Sequence, residues 1–159
     1  MAKFRFHLQS ILNVKYKLEE QAKNRYGAAV AKLREEESVL EALKEQRYGY
    51  QERLQQHVVS SEHCLSLLDI RQLEDGVELM KYKEKMQKIA IRRARNQVDV
   101  ARAQLDEAMK ERKIYEKLRE KAFDAFKKEI EAEERKEVDE LVSFRFGPGG
   151  TDDAEDIAI

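Results

Sequence analysis

The sequence predicts an all-α chain, two long helices folded back on each other as an antiparallel coiled-coil hairpin, with the second helix the longer. Three observations predict it. Charged residues make up 40% of the 159 residues while hydrophobic residues reach 42%. Apolar residues recur in alternating steps of three and four along nearly the whole chain. Proline is absent until Pro148, and there is no Trp. A compact globule of this length needs a thicker core than so much charge allows. The apolar fraction is nevertheless too high for simple disorder. A thin structure satisfies both constraints, because each helix buries one narrow stripe and solvates the rest.

The first helix is expected over about residues 4–58. Its seam reads Ala22, Tyr26, Ala29, Leu33, Glu36, Leu40, Leu43, Arg47, Tyr50, Leu54, with Leu8, Ile11, Leu12 and Leu18 continuing an apolar face upstream. The hinge is expected at about 59–66. There the seam positions lapse to Ser61 and Cys64, Val58-Val59 meets Ser60-Ser61, and Ser66-Leu67-Leu68-Asp69 has the form of a capping box. Asp75-Gly76 is a more obvious turn dipeptide. The seam passes through it unbroken, however, and Gly76 falls off the seam as a tolerated helix glycine costing roughly 1 kcal/mol against Ala.

The second helix is expected over about 66–145. Its seam runs Ile70, Leu73, Val77, Met80, Glu84, Gln87, Ile91, Ala94, Val98, Ala101, Leu105, Ala108, Arg112, Tyr115, Arg119, Ala122, Phe126. A sustained 3.5-residue repeat of this kind requires a partner helix, and the nearest is the other half of the chain. Folding near position 62 brings Ala22 and Ala29 opposite Ala94 and Ala101, where small residues allow close approach. It also sets Leu40, Leu43, Tyr50 and Leu54 against Met80, Val77 and Leu73, and leaves the second helix overrunning the first by about 20 residues. Glu84, Gln87, Arg112 and Arg119 interrupt the seam, so they weaken it and either fix register or leave that surface to a partner. Gly147-Pro148-Gly149-Gly150 ends the helix. The hairpin thus occupies residues 1–146, and 147–159 is expected to be a disordered acidic tail.

A two-helix hairpin has no interior beyond its seam in which catalytic groups could converge, so no enzyme activity, catalytic residue or cofactor is expected. His57, His63 and Cys64 cluster at the hinge, but without a fourth ligand they read as polar loop residues and no metal site is expected. A single cysteine excludes an internal disulfide and suits a reducing compartment. No apolar run approaches a membrane span and no signal-peptide core is present, so a cytoplasmic protein with no direct membrane insertion is expected.

Net charge is −1 overall but unevenly spread. Residues 81–119 hold thirteen Lys/Arg against six Asp/Glu, a net of +7, and residues 129–140 hold seven acids against two bases, a net of −5. The basic stretch suits a solvated helix exterior better than nucleic acid, since aromatic interleaving and a recognition module are both missing. The ends are more informative. The chain opens Phe4-Arg5-Phe6-His7-Leu8 and its last helix finishes Ser143-Phe144-Arg145-Phe146. The aromatics could pack on each other, but unequal helices separate the two ends, and exposed apolar residues on a thin rod point to a binding partner.

These residues carry a resemblance to a known family. Phe4-x-Phe6-x-Leu8-Gln9-x-Ile11-Leu12, followed by Lys15 and Glu19-Glu20, is similar to the start of the flagellar export protein FliJ family. The closing run Leu118-Arg119-Glu120-Lys121, Phe126, Glu129, Glu134, Asp139-Glu140 and Phe144-Arg145-Phe146 resembles its end. Ser66-x-x-Asp69-Ile70-Arg71-Gln72-Leu73 resembles the beginning of its second helix. The likeness covers about residues 3–146. It implies a non-enzymatic component of the flagellar type III export apparatus, needed for motility, and similar to the central stalk of rotary ATPases. It implies a cytoplasmic location, peripheral to the inner membrane at the flagellar base. It also implies three partners: the hexameric export ATPase ring, the cytoplasmic domain of the membrane export gate, and empty export chaperones. Carried onto this sequence, the ring contacts are Phe4, Phe6, Phe144, Arg145 and Phe146, and the gate contacts are Leu73, Val77 and Met80, which also lie on the seam. Two other readings stand beside it: a nucleic-acid-binding coiled coil using the 81–119 stretch, and a stalk subunit of another rotary ATPase.

Overall fold

The computed structural model describes residues 3–59 and 66–147. The expected turn at 60–65, with His63 and Cys64, and the expected acidic tail after 147 lie outside the described residues. Two helices, α1 (Gln9–Val59, 51 residues) and α2 (Leu67–Phe146, 80 residues), pack against each other antiparallel, and there is no strand among the described residues.

Helix α1 begins at Gln9, later than the expected residue 4. The first bonds are Gln9 N–H to the Phe6 carbonyl (3.2 Å) and Leu12 N–H to the Leu8 carbonyl (3.0 Å), so Phe4 and Phe6 lie on a lead-in and are free to turn toward α2. Helix α2 opens on a capping box. The Asp69 amide donates to Ser66 Oγ (3.3 Å), and the Ser66 amide and hydroxyl donate to Asp69 Oδ2 (3.2 and 2.9 Å). The exchange gives the Ser66 amide a partner, and the Asp69 amide, which also donates to the Ser66 carbonyl at 2.9 Å, a second one. The helix stops at Gly147. A Cβ there would sit 2.5 Å from the Ser143 carbonyl oxygen, so only glycine fits beneath that carbonyl.

The chain divides into two compact units, one of residues 17–110 and the other of the residues up to Tyr16 together with those from Glu111 on. In the first, the buried apolar residues are Ala22, Val77, Met80, Ile91, Ala94 and Ala101. Ala29 and Ala101, two of the four seam alanines expected to face each other, line one shallow groove. The polar seam positions are filled by each other. Arg47 Nε donates to Glu84 at 2.6 Å, with Glu84 buried, and Gln87 Nε2 donates to the Glu36 carbonyl (2.9 Å) and to the Glu36 carboxylate. All four belong to the seam, two on each helix. Glu84 and Gln87 therefore pair with α1, Glu84 buried and Gln87 half-buried. An ion pair with one buried member is weak support for stability but strong support for one register, since a slip would strand the buried Glu84.

Tyr50 packs over Gly76. A Cβ at Gly76 would lie 3.1 Å from Tyr50 Cε1. Gly76 is thus helical as expected but is no bystander, because its missing side chain seats the ring.

Candidate functional site

The second unit holds the aromatic ends that the sequence singles out. Its centre is Leu12, which is fully buried. The lead-in folds onto α2 so that the Phe4 ring meets Phe123 edge-on (centroids 5.1 Å, 70°) and Phe126 at a tilt (5.4 Å, 49°). Such geometry sets the positive edge of one ring against the negative face of another. Lys127 Nζ lies 4.5 Å from the Phe123 centroid and adds a cation over the cluster.

About two turns into α1, polar contacts clamp the helices. Lys15 Nζ donates to Glu111 Oε2 at 2.6 Å, which raises the lysine pKa above its ordinary value. Tyr16 donates its hydroxyl to Glu116 Oε1, and Arg112 donates to Glu116 Oε2 at 2.7 Å. The Tyr16 bond first, then Arg112, hold the Glu116 carboxyl below the usual carboxylate range, and the same bond raises the Tyr16 hydroxyl. Arg112 therefore serves this clamp, where the sequence left open whether it spoils the seam for a partner. Phe4, Tyr16, Glu116, Arg119, Glu120 and Phe123 line a cleft of about 430 Å³ over the clamp.

Beyond the clamp the picture changes. Every residue from Glu131 to Phe146 is exposed, including Val138, Leu141, Val142, Phe144 (88%) and Phe146 (79%). The residues expected as ring contacts thus fall into two groups. Phe4 and Phe6 are half-buried, with Phe4 packed on Phe123 and Phe126, whereas Phe144, Arg145 and Phe146 are open to solvent. The sequence reading missed Phe123 and Tyr16. Phe123 stands three residues before the seam residue Phe126, the spacing at which two rings share a helix face.

Of the expected gate contacts, Val77 and Met80 are buried in the seam and Leu73 is half-buried. Among the described residues no group of three or more His, Cys, Asp or Glu is arranged to hold a metal ion. No described helix is long and apolar enough to cross a membrane.

The model of the family described as flagellar FliJ protein matches residues 4–150, nearly the whole chain. The chain belongs to the FliJ family. No curated protein and no solved structure matches it. FliJ proteins are non-catalytic components of flagellar protein export, so the chain is a flagellar export component. The match spans the Phe4 cluster, the Glu116 clamp and the exposed aromatic end alike, so all three belong to the FliJ region of the chain.

Proposed function

We propose that this chain is a non-enzymatic stalk that couples the state of the hexameric export ATPase to engagement of the export gate. The observation that carries the reading is the exposed end of α2, where Phe144 and Phe146 stand 88% and 79% open on a segment with no buried residue. Exposed aromatics on a helix with no neighbour are costly in water and gain by entering a lined cavity such as the centre of a ring. In this reading Phe144, Arg145 and Phe146 touch the ring. Phe4 and Phe6 contribute mainly by fastening the lead-in to α2 and so aiming its end.

The cytoplasmic domain of the export gate is the second partner. Leu73 is the member of the expected trio with surface to offer, and Val77 and Met80 support it from the seam. Empty export chaperones are the third partner. The chain works at the cytoplasmic face of the flagellar base, without inserting into the membrane.

The test is the hydrolysis rate of the purified export ATPase at physiological salt. Adding the chain should raise it, and Phe144→Ala with Phe146→Ala should shift the concentration needed by at least about tenfold. Absence of stimulation and of ring binding, or an unshifted double variant, would sink the reading.

A further inference from the structure

Opposite the seam, α2 carries a second apolar line. Leu79, Tyr82, Met86 and Ile89 stand 50%, 59%, 45% and 40% exposed. Their steps are three, four and three, the spacing of a coiled-coil seam. Each lies two residues after a seam position (Val77, Met80, Glu84, Gln87), about 200° round the helix at 100° per residue, so α1 cannot cover them.

The charge around this line is predominantly positive; the exception is Glu78, beside Leu79 at the start of the line, which is paired with Lys81 at 3.0 Å. Residues 79–98 hold seven cations and a single acid, Glu84, which is buried and bound to Arg47. Lys85 and Arg92 flank the line on one side and Lys83 on the other, and Arg93 continues it.

We propose that this outward face of α2 docks an amphipathic helix of a partner protein whose apolar stripe is flanked by acidic side chains. The line is an exposed ridge about three turns long, which suits a facing helix and not a small ligand. Its flanking cations take the places that choose partners in coiled coils, and they select acids there. The same face of a second copy would meet like charge and is disfavoured. The inference rests on residues of the 17–110 unit and does not depend on the ring contact proposed above.

The probe is a fluorescent helical peptide of three heptads with Leu at the two core positions and Glu at the flanking ones, titrated into the full chain at physiological salt. Binding should weaken at least about tenfold in Tyr82→Glu and in Met86→Glu, while Tyr48→Glu, on exposed α1 surface, binds as the parent does. Circular dichroism should show unchanged helicity in all three variants, and a peptide with Lys in place of Glu should not bind. Four results would overturn the proposal. They are no binding at all, equal binding to Met86→Glu, equal binding of a peptide with Ser in place of Leu, and chain dimerisation abolished by Met86→Glu. The third would leave charge alone at work, and the last would assign the face to a second copy.

Discussion

The Nε of Arg47 lies 2.6 Å from a carboxylate oxygen of Glu84, each residue occupying a position where the seam of its helix would ordinarily place an apolar side chain. The two charges are separated by 37 residues of sequence and joined only by the fold. Glu84 is held largely away from water, so removing one partner leaves the other poorly solvated, whereas replacing both removes the problem. Glu84→Ala should lower the melting temperature by a few degrees. Arg47→Leu with Glu84→Leu should restore it or exceed the parent. A double-mutant cycle from urea midpoints measures the coupling, and strict additivity would contradict this account.

Gly76 should behave unlike the other helical glycines. Nothing lies within 4 Å of a Cβ at Gly27 or Gly49, so Gly27→Ala should stabilise by about 0.5–1 kcal/mol through helix propensity. At Gly76 the new methyl would push on the Tyr50 ring, and the net gain should be close to zero. In a Tyr50→Ala background Gly76→Ala should recover the full gain. Thermal unfolding of the four chains decides it, and equal gains in both backgrounds would remove Tyr50 as the cause.

Phe4→Ala should loosen the start of α1. The lost ring contacts with Phe123 and Phe126 are worth about 0.5–1.5 kcal/mol beyond area burial. Amide exchange should quicken over residues 9–16 and stay unchanged near the Arg47–Glu84 pair. Unchanged exchange at both places would show that Phe4 fastens nothing.

The Tyr16–Glu116 bond makes a signed prediction about pH. Glu116 has a native pKa below its unfolded value, so its contribution is present above that unfolded value and is lost as pH falls through the native one. Tyr16 has a raised pKa, so its contribution is present below its ordinary value and is lost as pH rises through the native one. Tyr16→Phe should move the Glu116 pKa back up toward the ordinary carboxylate range, read by NMR titration of its side chain. A Glu116 titration indifferent to Tyr16→Phe would refute the clamp.

Much of this architecture is legible in the sequence because a coiled coil repeats one physical rule. The heptad spacing alone singles out Ala22, Met80, Ile91, Ala94 and Ala101 as buried, and Ser66 and Asp69 reveal where α2 is capped. What periodicity cannot supply is the partner of a polar seam residue. Glu84 and Gln87 look like interruptions until register sets Arg47 and Glu36 against them. Gly76 looks incidental because a glycine carries no sign of the ring that rests on it. The aromatic ends were visible as composition, but the lead-in of Phe4 to Phe123 and Phe126 depends on α1 starting at Gln9, a boundary that no cap residue marks.

In the proposed function the open end of α2 enters the export ATPase. A photoreactive phenylalanine analogue at Phe146, with a second at the exposed Tyr48 as reference, tests it in a mixture of the chain and the assembled ATPase. Cross-links to the ATPase are expected from position 146 and none from position 48. Cross-links from position 48 with none from position 146 would contradict it.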